Sequence, residues 1–292
     1  TGVVLAIMTI NVLGIRQSAW VVNALTVGKL TPLVIFIFLG LPYVAFDALR
    51  PEVALTWTQI STSALLLIFA YGGYEVVGVP AGETRDPKRA VPFAMVMTIV
   101  IVAVVMTLAQ VVAMGTLPNI AGSQRPLADA SLLFIGVWGA LLMTTGAAVS
   151  MSGNNMGQAL SGSRNLYALA EQGDLPSVFG RVHPRFHTPA VAIVVTSLVA
   201  LGLALSGNFV TLAASSAVSR LMVYAGTCAS VLVLRRQGPA AFTIPGGPVI
   251  PVVALLVSLA ILGGATKLQL QVGLVALVVG AALYGVARWR SR

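Results

Sequence analysis

Nine apolar runs, most of them near the length a helix needs to cross a bilayer, dominate this sequence. They cover residues 2–15, 19–44, 57–79, 91–115, 130–155, 189–206, 209–234, 249–266 and 268–287. A hydrocarbon core about 30 Å thick takes about 20 apolar residues per helical crossing. Inside it every backbone N–H and C=O must be bonded within the protein, which leaves helices as the fitting structure for such runs. The expected fold class is therefore all-α integral membrane, with about nine transmembrane helices. Composition agrees, since 9% of the 292 residues are charged and 58% hydrophobic, whereas a soluble domain carries roughly 25% charged residues. Disorder is excluded on the same grounds. The first run is short and opens Thr1-Gly2-Val3-Val4 without a basic n-region. It does not read as a signal peptide but as a chain entered partway, so the sequence is expected to be N-terminally truncated.

The net charge of +9 would suggest nucleic acid as a partner, yet the basic residues lie in short clusters between apolar runs, so none is expected. Their distribution predicts orientation, because Lys and Arg are retained on the cytoplasmic side. One set of alternate connections holds twelve: Arg16, Arg85, Lys88, Arg89, Arg164, Arg181, Arg185, Arg235, Arg236, Arg288, Arg290 and Arg292. The other set holds three, Arg50, Arg125 and Lys267. A cytoplasmic C-terminus is expected. The longest polar stretch, 164–189, predicts a short interfacial helix over 165–172. The single cysteine, Cys228, excludes a disulfide framework, and no metal site or cofactor is expected.

Chemistry concentrates in the third run, at Phe69-Ala70-Tyr71-Gly72-Gly73-Tyr74-Glu75, followed by Gly78 and Pro80. Paired glycines weaken a helix and let the backbone leave helical angles. A break at membrane depth is tolerated where protein or water satisfies the freed groups, and secondary transporters bind substrates at such breaks. Close helix packing at the glycine pair is the plainer reading. Glu75 tilts the balance toward function, as a charge-switching group or a brace for the broken segment, against a hydrated structural carboxylate. Lys29 falls near the middle of the second run, where desolvation favours the neutral amine. A protonated Lys29 would bridge helices as a bound cation does; snorkelling to an interface is the alternative. Ser152, Asn154, Asn155 and Gln158 put polar side chains at the end of the fifth run, as a cavity wall or as helix–helix contacts. Arg220, in the seventh run, requires a counter-charge, carbonyls or water. His183 and His187 flank Pro184 without an acidic or Cys ligand set, and no phosphate loop or nucleophile elbow is present.

Residues 69–92, FAYGGYEVVGVPAGETRDPKRAVP, resemble the sixth helix and following loop of the amino acid–polyamine–organocation transporter superfamily. Gly162-Ser163-Arg164, Gly173-Asp174-Leu175-Pro176 and Thr188-Pro189 resemble its eighth-helix exit and the loop before its ninth. Asn11-x-x-Gly14 with Lys29, and Phe242-x-x-Pro245-Gly246-Gly247-Pro248, give weaker matches in the same order. The resemblance implies a LeuT-type five-plus-five inverted-repeat fold comprising family helices four to twelve. Residues 1–44 would be the remainder of the first repeat, 57–234 the second, and 249–287 two additional helices. It implies Phe69 as the gate aromatic and Ala70, Tyr71, Gly72 and Gly73 as the unwound segment, with Tyr74 beside it. Glu75 matches the family glutamate, and Lys29 the lysine that stands in for sodium. Ser152, Asn154 and Asn155 would face that lysine, with Gln158 nearer the substrate. Gly226 departs from the pattern, standing where some antiporters carry a second aromatic gate.

The expected function is secondary active amino acid transport by alternating access across the plasma membrane, proton-coupled or sodium-independent, not catalysis. The partners would be an amino acid and the lipid bilayer. A cationic substrate would want acidic lining, and Glu75 is the one acid in the expected spans, which favours neutral amino acids. The rival is a non-transporting membrane fragment or subunit that binds partner helices. The oligomeric state is not legible.

Overall fold

The computed structural model describes residues 2–13, 19–50, 54–75, 86–207, 209–236, 238 and 246–290. Those residues form ten α-helices and no strand. In chain order they are α1 (Gly2–Leu13), α2 (Ala19–Gly40), α3 (Trp57–Tyr71), α4 (Pro87–Thr116), α5 (Pro126–Phe134), α6 (Val137–Glu171), α7 (Ala190–Ser206), α8 (Phe209–Leu234), α9 (Val249–Gly263) and α10 (Lys267–Arg290). Among the described residues four segments are long and apolar enough to cross a membrane, Thr26–Tyr43, Pro87–Thr116, Phe209–Leu234 and Lys267–Trp289. Shorter apolar helices occupy Val4–Leu13, Trp57–Tyr71, Ala190–Ser206 and Val249–Gly263. Large apolar side chains such as Val104, Leu256 and Val275 are exposed along α4, α9 and α10, which a water-soluble surface of this extent would not support.

Helix ends follow local chemistry. The pattern Thr-x-x-Gln opens both α3 and α10. At α3 the Gln59 N–H donates to Thr56 Oγ1 (3.3 Å) and the Thr56 N–H donates to Gln59 Oε1 (2.9 Å). At α10 the same exchange joins Thr266 and Gln269, at 2.9 and 3.4 Å. Each reciprocal pair satisfies two donors that a helix start otherwise leaves bare. The expected interfacial helix over 165–172 is instead the last stretch of α6, which runs unbroken to Glu171. It stops where Gly173 turns left-handed (φ +79°) and the Asp174 N–H returns to the Leu169 carbonyl at 2.9 Å. The fifth expected span, 130–155, likewise divides between α5 and α6 near Gly136 (φ +80°).

Two compact units divide the chain. One comprises Ala6–Ala54 and Thr98–Leu160. Its core gathers Phe36, Ile37, Val112, Ala109, Ala113, Ala128, Ala130 and Met143. The Phe134 ring packs on Phe36 and Tyr43, with centroids 5.5 and 5.8 Å apart. Small residues let the helices close up: a Cβ on Gly40 would collide with Val112 and Phe134, and one on Gly146 would lie 2.6 Å from Pro32 Cγ. The other unit comprises Thr1–Leu5, Leu55–Met97 and Ser161–Arg292. Its core is Leu65 of α3 with Ala217, Val218 and Leu221 of α8, flanked by Ile261 and Leu262 of α9 and Leu270 of α10. Here α8 is the central element, packing on α3, α9 and α10.

Between apolar helices in an apolar solvent there is little hydrophobic drive, so close packing carries the association. Replacing Gly40 by Leu is expected to overpack its unit by about 1–3 kcal/mol. Thermal unfolding of the purified protein in detergent should show a midpoint lowered by several degrees; an unchanged midpoint would contradict this packing.

Candidate functional site

The third apolar run breaks where its glycines lie. Helix α3 ends at Tyr71; Gly72 is extended (φ −68°, ψ 147°) and Gly73 takes φ +117°, a conformation L side chains rarely adopt. A helix end leaves its last carbonyls without intrahelical donors, and the Gly72 N–H meets one of them, the Phe69 carbonyl, at 3.1 Å. Gly78 and Pro80, which extend the run, lie outside the described residues, as do Gly14 and Phe242.

Glu75 braces the break. Its Oε2 accepts the Gly73 N–H at 2.6 Å. Its Oε1 accepts the Tyr224 hydroxyl at 2.8 Å and Nη1 of Arg220 in a close ion pair. Three donors thus converge on one carboxylate, two of them from α8, where Arg220 and Tyr224 stand four residues apart on one face. The guanidinium lies along the backbone of the break: a Cβ on Gly72 would sit 2.7 Å from both Cζ and Nη1 of Arg220. Only glycine leaves that room. The side chains of Arg220 and Glu75 are 26% and 32% exposed, so the pair borders open space. Aromatic rings flank it. Tyr74 tilts against Tyr224 with centroids 6.3 Å apart, and Phe69 meets Phe209 edge-on at 5.8 Å.

The other expected site residues stand apart from this brace in kind. Phe69 and Tyr71 are half-buried on the last turn of α3, and Ala70 is exposed. Lys29 is exposed on α2 and has no ion pair or hydrogen bond to a described residue. Pro32, one turn on, is the residue that Gly146 of α6 packs against. Ser152, Asn154, Asn155 and Gln158 are all exposed on α6. The Ser152 hydroxyl donates to its own helix at the Ala148 carbonyl, 2.9 Å away. At 100° per residue Asn154, Asn155 and Gln158 share one arc of α6. No group of three or more His, Cys, Asp or Glu side chains among the described residues is arranged to hold a metal ion.

The partner of Arg220 was not assigned from sequence, and Tyr224 was missed. A signal existed for both. Arg220 and Glu75 are the opposite charges left over within the apolar runs once Lys29 is set aside, and Tyr224 lies one turn from Arg220.

The sequence profile described as Amino acid permease matches residues 1–281. The chain belongs to the amino acid permease family. Among curated relatives, the methylthioribose transporter of Bacillus subtilis (strain 168) is 26% identical over 256 residues, 86% of this chain and 56% of that protein. The branched-chain amino acid permease BcaP of the same organism is 26% identical over 290 residues, 97% and 62%. A vacuolar cationic amino acid transporter 4 of Arabidopsis thaliana is 26% identical over 245 residues, 80% and 41%. The chain thus spans about three fifths or less of these relatives. This amino acid permease shares with them a family, and their names differ in substrate charge.

Removing any part of the brace should loosen the permease. Glu75→Ala strands the Arg220 charge and is expected to cost about 1–3 kcal/mol. Gly72→Ala, which displaces the guanidinium, should fall in the same range, and Tyr224→Phe should cost about 1 kcal/mol. Thermal midpoints in detergent check the order; a Gly72→Ala protein as stable as the parent would contradict the contact with Arg220.

Proposed function

We propose that this permease is a secondary active transporter of amino acids, working by alternating access around the break at residues 69–75. The observation that carries the reading is that α3 ends at Tyr71, partway along its apolar run, and that the turn at Gly72-Gly73 is held by a carboxylate. A break of this kind offers backbone groups to a ligand at a depth where few other polar groups exist. Family membership supports transport as the activity. In this reading Phe69 is the gate, and Ala70, Tyr71, Gly72, Gly73 and Tyr74 hold the substrate's polar ends. Coupling is assigned to Lys29 with Ser152, Asn154 and Asn155, and to Glu75 through its hold on the break. A lysine in place of a bound cation fits proton-coupled or sodium-independent transport.

The architecture that goes with this function is the LeuT-type inverted repeat, with residues 57–234 as a repeat, 1–44 belonging to another, and 249–287 as two further helices. All nine apolar runs would span the plasma membrane, with the C-terminus in the cytoplasm as the Lys/Arg bias requires. The substrate is read as a neutral amino acid, because the one carboxylate at the break is already paired.

Proteoliposomes holding the full-length gene product are expected to take up a radiolabelled neutral amino acid saturably and to respond to an imposed pH gradient. Lys29→Ala should abolish the pH response. Saturable uptake with an unaltered pH profile in that variant would end the coupling role of Lys29. Absence of uptake across an amino-acid panel would favour a non-transporting subunit that binds partner helices.

A further inference from the structure

We infer that the Arg220–Glu75 pair is a charge filter: it makes the break electrically neutral, and so restricts substrates to those whose side chains carry no net charge. The inference deepens the transport reading above and rests on it.

The argument begins with what surrounds the break. In this unit α8 packs on α3, α9 and α10; besides Arg220, the charges in these four helices are Lys267 at the start of α10 and Arg288 and Arg290 at its end. Glu75 follows α3 by a few residues and is the only other charge beside the unwound stretch among the described residues of these elements. Among the described residues, Glu75 and Arg220 are the charged side chains that touch the break, at Gly73 and Gly72. They cancel at contact distance, and both remain partly exposed, 26% for Arg220 and 32% for Glu75. Residues 72 and 73 touch the pair directly, through the guanidinium at Gly72 and the carboxylate at the Gly73 N–H.

Either member alone would select a substrate charge. A lone carboxylate at Gly73 would attract an ammonium or guanidinium side chain, and a lone guanidinium at Gly72 would attract a carboxylate. In a medium of low dielectric such pairings are strong, and an unpaired charge is costly. With the pair made, a charged side chain finds no counter-charge and loses its hydration. The carboxylate is also short of free acceptor sites, since Oε2 takes the Gly73 N–H and Oε1 takes two donors from α8. Gly72 is the structural condition for the filter, because only glycine lets the guanidinium reach across the backbone. Arg220, Glu75 and Gly72 are in this sense specificity-determining residues, distinct from the groups that hold the α-amino and α-carboxylate ends common to all amino acids.

The test is competition against uptake of a labelled neutral amino acid by the full-length gene product in proteoliposomes, using near-isosteric pairs that differ in charge: norleucine against lysine, and glutamine against glutamate. Wild-type protein should be inhibited by at least one uncharged member and, at equal concentration, at least about tenfold less by its charged counterpart. R220Q, which releases the carboxylate, should raise lysine relative to norleucine by at least about tenfold. E75Q, which releases the guanidinium, should raise glutamate relative to glutamine, and the double variant E75Q/R220Q should show neither gain. Variants are scored once monodisperse in detergent; should a single variant fail to fold, the wild-type competition decides alone. Wild-type uptake inhibited equally by charged and uncharged members, or folded single variants with unchanged ratios, would overturn the filter and leave the transport reading standing. No uptake of any amino acid by wild-type protein would overturn the transport reading, and the filter with it.

Discussion

A carboxylate and a guanidinium that meet beside apolar helices constrain each other and everything attached to them. A charge left unpaired beside apolar helices is costly, and each of Glu75 and Arg220 is the other's counter-charge. Their pairing therefore fixes α8 against the end of α3, and the fixing reaches the backbone. The Gly73 N–H, freed by the break, is taken up by the same carboxylate at 2.6 Å. Gly72 has no side chain because the guanidinium occupies that space. The glycine pair is thus explained twice, by a dihedral angle at one residue and by a close approach at the other.

The surroundings make such a brace worth having. Helices in an apolar medium gain little by burying more apolar surface, so their mutual position depends on shape and on the few polar bonds between them. In the unit containing the break, shape is supplied by Leu65, Ala217, Val218 and Leu221, and by Gly264, whose missing side chain leaves room for Ser61. Polar bonding across α3 and α8 comes from the Glu75 cluster. The other unit relies on alanine and glycine contacts around Phe36 and Phe134. It presents Lys29 and the α6 amides as exposed polar groups in an otherwise apolar setting.

Much of this was legible before any coordinates, for identifiable reasons. Apolar runs announce helices because nothing else satisfies their backbone in lipid, and a helix occupies each of the nine runs. The break was one of two readings of two consecutive glycines, close helix packing being the other, and the acid that follows them was what favoured it. The extent of α6 was not, since a helix that leaves the apolar region keeps its backbone bonds while its sequence turns polar, and composition reports only the change of surroundings. The α5–α6 division turned on a single left-handed glycine, Gly136, in a run where composition does not change. The Arg220–Glu75 contact joins residues 145 positions apart, a separation at which only elimination among charges could have paired them. Tyr224 needed one step more, a helical-face argument made from Arg220.

The brace also bears on how the break can move. Any displacement of α8 against α3 must carry Glu75 along or part it from Arg220. Carrying it along takes the Gly73 amide with it, so the two helices and the backbone between Tyr71 and Glu75 would shift as one body. Parting it exposes two opposite charges that the neighbouring helices cannot satisfy, which is sustainable only where water enters to solvate both. In the paired state both side chains are still partly exposed, 26% for Arg220 and 32% for Glu75.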